Sequence, residues 1–67
     1  MIAIVLNGQP REVPAGLTAA GLLAHLGRDP RVVALERNAE IVPRARFDDV
    51  AIEAGDRLEL VQFVQGG

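Results

Sequence analysis

The sequence predicts an α+β fold in which a mixed sheet of four to five strands carries one helix across one face. Short apolar runs with strand-like alternation occur near both ends of the chain, and one stretch with helical periodicity lies between them. Turn-forming dipeptides separate these segments. Since a chain of 67 residues has room for one small core, we expect residues 1–67 to form a single domain.

The chain is predicted to open with a β-hairpin. Residues 2–6 alternate in strand fashion and are followed by Asn7-Gly8, a pair that favours the positive φ angles of a tight turn. The return strand is predicted near residues 11–13. We expect Pro10 and Pro14 to lie at its ends, where a missing backbone donor does least harm, and the strand to lie at an edge of the sheet.

One amphipathic helix of about nine residues is predicted at residues 18–26. Thr18 occupies an N-cap position and Gly27 a C-terminal stop. Apolar side chains follow the i, i+3, i+4, i+7 spacing: Ala19, Leu22, Leu23 and Leu26. This stripe requires a sheet to cover it.

The second half of the chain supplies the remaining strands. Strands are predicted at residues 32–35, 41–42 and 58–64, with turns at Asn38-Ala39 and Gly55-Asp56. Residues 44–54 are predicted to be irregular, with three side chains as core anchors: Phe47, Val50 and Ile52. A helix that follows a first hairpin, with later strands filling the sheet, fits the β-grasp (ubiquitin-like) arrangement, in which the first and last strands lie parallel at the centre.

The alternation of the last strand predicts an exposed apolar pair. If Leu58 and Leu60 face the helix, Val61 and Phe63 face the other side of the sheet. Two exposed apolar side chains are either scattered surface residues, which are common, or a docking site for a partner protein. The position of Val61 and Phe63 close to the end of the sequence leads us to expect the docking site.

Composition excludes several classes of function. Without cysteine there is no disulfide, thiolate metal site or thiol nucleophile. A net charge of −2 and only two aromatic residues argue against nucleic-acid binding. The longest apolar run, residues 1–6, is far shorter than a bilayer span, and no basic-then-apolar leader is visible, so we expect a cytoplasmic protein without membrane contact.

The remaining polar side chains are predicted to have structural or solvated roles. His25 falls on the polar side of the helix and has no second ligand at metal spacing. Four carboxylates lack the spacing of a calcium loop and are assigned to loop solvation and turn capping: Asp48, Asp49, Glu53 and Asp56. Arg44 and Arg46 are interpreted as isolated exposed side chains. No metal, bound cofactor or catalytic side chain is therefore predicted.

The sequence ends in Gly66-Gly67. Since glycine has no Cβ, an extended diglycine can enter a narrow cleft and present its carboxylate there. We expect residues 65–67 to form a flexible C-terminal tail whose working group is the carboxylate of Gly67.

These segments, taken in order, resemble the ThiS family of sulfur carriers in thiamin biosynthesis, which belongs to the wider ThiS/MoaD group of ubiquitin-like proteins. The resemblance covers essentially the whole chain, including the run VALERNAEIVPR at residues 33–44 and the ending VQFVQGG at residues 61–67. The chain departs from the family pattern at Ala39, where glycine or glutamine is frequent, and at Phe47, where tryptophan is frequent. Neither departure touches the tail.

The resemblance implies that the chain is a carrier and not an enzyme. An adenylating partner (ThiF-like) would use ATP to convert the Gly67 carboxylate to an acyl-adenylate, and a cysteine-desulfurase relay would supply sulfur to make a thiocarboxylate. A thiazole synthase (ThiG-like) would then take the sulfur. By position, Gly67 carries sulfur, Gly66 gives the tail access, and Val61 and Phe63 dock the partner.

Two alternatives share much of this pattern. The small subunit of molybdopterin synthase also combines a β-grasp with a terminal diglycine but is typically somewhat longer, and the NAEIVPR run favours thiamin. The other alternative is a ubiquitin-like binding module that never undergoes carrier chemistry.

Overall fold

The computed structural model describes residues 1–63, within which five strands form one mixed sheet and one α-helix crosses it. The strands are β1 (Ile2–Leu6), β2 (Gln9–Val13), β3 (Val33–Arg37), β4 (Glu40–Val42) and β5 (Arg57–Gln62); the helix is α1 (Ala19–His25), and Pro30–Val32 and Arg44–Arg46 are 3₁₀ turns. The strand order is β2-β1-β5-β3-β4. Strands β1 and β5 are parallel and the other neighbours antiparallel, which confirms the predicted β-grasp.

The β1–β2 hairpin turns at Asn7 and Gly8, whose φ angles are 49° and 78°. Strand β2 lies at the sheet edge as predicted, but it begins at Gln9, so Pro10 lies inside the strand and not before it. Pro10 is opposite Val5. That position is one residue beyond the pair that closes the two-residue turn, so the proline nitrogen faces away from β1 and no ladder hydrogen bond is lost.

Helix α1 contains seven residues, fewer than the nine predicted, because the residues at both predicted ends act as caps. The Thr18 hydroxyl accepts a hydrogen bond from Gly21 N at 3.1 Å. At the other end Gly27 has a φ of 71°, and Arg28 N donates to Leu23 O at 2.8 Å. Together with the bond from Gly27 N to Ala24 O, this is a Schellman motif.

The core lies between α1 and the sheet. Its largest fully buried side chains are Ile4, Val13, Leu22, Leu23, Leu35 and Leu58. Phe47 and Ile52 are buried and Val50 packs against the core, so the predicted anchors of the 44–54 segment are confirmed. Leu60 packs against the core but is only half-buried.

The 44–54 segment also completes the start of α1. The first amides of a helix have no partner within the helix. Here Ala19 N donates to Val50 O and Ala20 N donates to Phe47 O, both at 2.8 Å. Residues 44–54 are therefore held in place by hydrogen bonds from the first amides of the helix.

The described part of the chain contains no helix with the length and apolar character of a bilayer span.

The turn between β3 and β4 carries local backbone strain. Asn38 and Ala39 have φ angles of 52° and 70°, and alanine tolerates this region poorly because its Cβ approaches the backbone oxygen.

We expect Ala39→Gly to raise the free energy of unfolding by about 0.5–1 kcal/mol, since the relief of strain exceeds the added chain entropy. In urea denaturation the control Ala24→Gly, in the exposed part of α1, should lower stability by about 1 kcal/mol. A loss of stability in Ala39→Gly would contradict this interpretation of the turn.

Candidate functional site

The sheet has one surface that α1 does not cover. We call this surface the open face. In β5, Leu58 is buried and Leu60 half-buried on the helix side, while Val61 is 58% exposed. The register of the other strands adds the remaining members of the open face, which consists of Ala3, Val5, Pro10, Glu12, Ala34, Glu36, Ile41, Arg57, Glu59 and Val61. The predicted alternation of the last strand is confirmed.

Apolar side chains are concentrated at the end of β5 and across the neighbouring strands. Phe63 is 50% exposed, and its N–H donates to Val32 O at 2.7 Å, so pairing with the β3 side continues as far as this residue. Val61 is opposite Ala34. Ile41, which sequence reasoning did not single out, is 74% exposed on the same face. The exposure of Ile41 could have been predicted. If Val42 points into the core, the preceding residue of the same strand must point to the opposite face.

Two carboxylates lie side by side on this face. Glu36 of β3 is directly opposite Glu59 of β5, and Ile41 is opposite Glu36 on the other side. A shallow depression here is lined by Glu36, Asn38, Ala39, Arg57 and Glu59. Sequence reasoning missed this acidic pair, because only the β3–β5 register brings the two residues together.

The end of β5 is fixed by side chains as well as by strand pairing. Asn7 accepts a hydrogen bond from Leu60 N at 2.7 Å and donates to Leu60 O at 3.2 Å, so this side chain extends β1 where the backbone turns away. Arg28 Nη1 donates to Gln62 Oε1 at 2.6 Å. Strand β5 is therefore held on its β1 side at Leu60, and on its β3 side the pairing extends as far as Phe63.

The start of β5 is fixed by a buried ion cluster around Asp56. Asp56 is 5% exposed and forms a 2.7 Å ion pair with Arg37 Nε. Its carboxylate also accepts hydrogen bonds from Asn38 Nδ2 at 3.1 Å and Glu53 N at 2.8 Å. Burial acts to raise the pKa of the Asp56 carboxyl, but the bonds from Arg37, Glu53 and Asn38 together hold that pKa below its ordinary value.

This geometry corrects the assignment of Asp56 to a solvated loop. The predicted capping role is right, since Asp56 accepts from the backbone of Glu53. The predicted solvation is wrong, because the Asp56 side chain is only 6% exposed and its carboxylate is paired with Arg37. Asp48, Asp49 and Glu53 are exposed as expected.

Two other arginines also have defined partners. Arg44 donates to the backbone oxygens of Pro30 and Arg31 at 3.0 and 3.1 Å, so it joins the two 3₁₀ turns and is not isolated. Arg46 forms a 3.6 Å ion pair with Asp49. His25 is exposed. Within residues 1–63, no group of three or more His, Cys, Asp or Glu side chains is placed to hold a metal.

The predicted site therefore falls into two parts. Val61 and Phe63 lie on or beside the open face, as the alternation predicted. Gly66 and Gly67, with the predicted tail at 65–67, lie outside the described residues. The docking role of Val61 and Phe63 and the roles of the two glycines remain predictions.

The matches to known proteins cover both parts of the predicted site. The model of the ThiS family matches residues 4–67. The sulfur carrier protein ThiS of Escherichia coli is 34% identical over 64 residues, which cover 96% of this chain and 97% of that protein. The crystal structure of the thiamine biosynthesis protein ThiS from Geobacter metallireducens superposes with a TM-score of 0.83 at 30% identity, over 98% of this chain and 100% of that one.

A longer relative has a different name. A thiazole synthase of Paramagnetospirillum magneticum is 48% identical over 64 residues, covering 96% of this chain. The chain spans only 20% of the length of that relative. A segment similar to this chain is thus part of a larger polypeptide that carries the name thiazole synthase.

Proposed function

Because the chain belongs to the ThiS family of sulfur carriers in thiamin biosynthesis, we propose that the carboxylate of Gly67 is the group that carries the sulfur. The observation that supports this most directly is that the family match extends through Gly66 and Gly67 to the last residue of the sequence. The chain also spans nearly the full length of the E. coli sulfur carrier.

The proposed chemistry has two stages at the Gly67 carboxyl group: activation and sulfur transfer. A carboxylate is a poor acyl donor, so one of its oxygens first attacks the α-phosphorus of ATP on an adenylating enzyme (ThiF-like) and pyrophosphate leaves. The outer sulfur of a persulfide, supplied by a cysteine-desulfurase relay, then attacks the carbonyl carbon, and AMP leaves with the bonding electron pair. A thiol next attacks the relay-side sulfur of the resulting acyl disulfide, so that the S–S bond breaks, the relay leaves as a mixed disulfide and the sulfur stays on Gly67. The product is a thiocarboxylate, whose sulfur is a better nucleophile than the oxygen it replaces.

The proposed acceptor of this sulfur is a thiazole synthase (ThiG-like). The thiazole synthase of P. magneticum supports this choice, because part of it is 48% identical to this chain. In this scheme the carrier is a protein co-substrate and binds no cofactor of its own. The proposed setting is the cytoplasm, where ATP is available.

In this scheme the residues of this chain have two tasks. They hold the tail in position, and they form the surface that the partner recognises. Asn7 and Arg28 fix the end of β5, which sets the point from which residues 64–67 begin. Gly66 is proposed to give the carboxylate access to a narrow partner cleft because it has no Cβ. Val61 and Phe63 are proposed to contact the partner beside that cleft.

The test is an intact-mass measurement. The full chain is incubated with the adenylating enzyme of the same organism, ATP, Mg²⁺ and sulfide, and we expect a mass increase equal to the exchange of one oxygen for sulfur. Fragmentation should place that increase on Gly67. A chain that never gains this mass with active partners would leave the binding-module alternative.

Replacing Phe63 with aspartate should separate docking from folding. Phe63→Asp removes an exposed apolar contact and adds a charge that would be desolvated in a complex, so we expect partner binding to weaken by about 2 kcal/mol, roughly 30-fold in Kd. The free energy of unfolding should change by less than about 0.5 kcal/mol, as for most surface substitutions. Isothermal titration calorimetry and urea denaturation measure the two quantities.

A matched control carries the same charge on the other side of the molecule. Ala24→Asp lies on the exposed side of α1, away from the open face, and should leave the Kd unchanged. Equal loss of binding in both variants would show that net charge matters and the position of Phe63 does not.

A further inference from the structure

The acidic pair on the open face is unfavourable in the isolated chain. Glu36 and Glu59 occupy directly opposite positions of the β3–β5 ladder. Like charges at such positions repel, because their Cβ atoms are about 5 Å apart. A sheet built only for stability would not place two carboxylates there.

The described residues do not neutralise this pair. Four salt bridges occur within residues 1–63, and neither Glu36 nor Glu59 takes part in any of them. Arg57 lines the same depression but lies beyond ion-pair distance of both carboxylates. By contrast, Asp56 on the other side of the sheet has a full set of donors. The pair without a cationic partner among the described residues thus lies on the face that α1 leaves open.

The surroundings of the pair indicate what kind of group would neutralise it. Ile41 lies beside Glu36, and Val61 and Phe63 follow Glu59 along the chain. A partner that covers these apolar side chains also removes water from the two carboxylates. Their charge must then be balanced by a cation from the partner, since an unpaired charge is costly to bury.

We infer that the open face docks a surface of the thiazole synthase that places an arginine or lysine side chain between Glu36 and Glu59. This inference rests on the proposed function, because it takes the synthase as the protein that receives the sulfur. One cation between two carboxylates is attracted by both and relieves their mutual repulsion. Docking thereby favours partners with a cation at this position and disfavours neutral or acidic ones.

The test is the paired variant Glu36→Gln/Glu59→Gln, measured against the thiazole synthase of the same organism. We expect the Kd for the synthase to rise about tenfold at low salt. The wild-type Kd should rise with ionic strength, and the paired variant should lose most of this dependence. The free variant should melt roughly 2–4 °C higher than the wild type, because the repulsion is gone. Weaker binding in a more stable chain is a combination that damage to the fold cannot produce.

Glu12→Gln is the matched control. Glu12 is an exposed carboxylate of the same face at its far edge, opposite Ala3, and its replacement changes the net charge by the same amount per site. We expect it to leave the Kd for the synthase within about twofold of wild type.

Three outcomes would overturn the inference: an unchanged Kd and salt dependence in the paired variant, an equal effect of Glu12→Gln, or weakening that affects the adenylating enzyme and not the synthase. The mass measurement on the wild-type chain separates this inference from the proposed function. If the wild type gains sulfur and the paired variant binds the synthase normally, only the cation contact is wrong. If the wild type never gains sulfur, the proposed function fails first.

Discussion

A chain that lacks Gly67 is expected to accept no sulfur while keeping its thermal stability. The truncated chain still ends in a glycine carboxylate, but this carboxylate lies about 3.5 Å closer to the body of the protein. Since a misplacement of about 1 Å at a reacting centre can lower a rate 100-fold, we expect adenylation to fall by at least that factor. Pyrophosphate release and intact mass measure the loss.

The stability of the truncated chain should match that of the wild type, because the sheet and core are formed by residues 2–62. Its open face is intact, so it should also compete with the wild-type chain for the thiazole synthase. Gly67→Ala keeps the length of the chain and adds only a Cβ, so it separates the reach of the carboxylate from the steric access that the diglycine gives. Sulfur uptake by the truncated chain, or a large drop in its melting temperature, would contradict the role given to Gly67.

The predictions that depended on local patterns are confirmed. The Asn7-Gly8 turn, the Thr18 cap and the alternation of β5 each follow from residues that are neighbours in sequence. The helix is shorter than predicted only because its cap residues were counted as helical. Pro10 was predicted at the end of the second strand but lies inside it, because an edge strand tolerates a proline that a central strand would not.

The features that sequence reasoning missed depend on long-range contacts. Arg37 and Asp56 are 19 positions apart, and Asn7 and Leu60 are 53 positions apart. No periodicity or motif relates such pairs. The acidic pair of Glu36 and Glu59 likewise depends on the β3–β5 register, because a shift of β5 by one residue would turn Glu59 to the helix face and separate it from Glu36. The apolar part of the candidate site, Val61 and Phe63, could therefore be predicted from the sequence, whereas the acidic pair could not.

Loss of the buried carboxylate of Asp56 should have the largest effect on folding. Asp56→Ala leaves the Asn38 amide and the Glu53 N–H without this acceptor, and it leaves the Arg37 guanidinium with only the exposed carboxylate of Glu53. Breaking a buried ion pair typically costs about 3–5 kcal/mol, and because Arg37 is partly exposed we expect about 3 kcal/mol at neutral pH. That is a large share of the roughly 3–10 kcal/mol available to a domain of this size.

Glu53→Ala is the matched control, because it removes the other carboxylate paired with the same arginine. The Glu53 side chain is 73% exposed, so this pair should contribute less than about 1 kcal/mol. Urea denaturation of the two variants compares the pairs directly. Equal losses would show that burial of Asp56 adds nothing to its pairing.

The stability of the wild-type chain should also depend on pH in a direction fixed by Asp56. Its pKa in the folded chain lies below the ordinary value of 3.8, so the folded state binds this proton less readily than the unfolded state. The contribution of Asp56 is complete above pH 3.8 and is lost as the pH falls below that value through the lowered pKa. The difference in unfolding free energy between wild type and Asp56→Ala should therefore narrow on acidification. A difference that stays constant into this acidic range would mean that the carboxylate is not held ionised by Arg37, and that the start of β5 is fixed by packing alone.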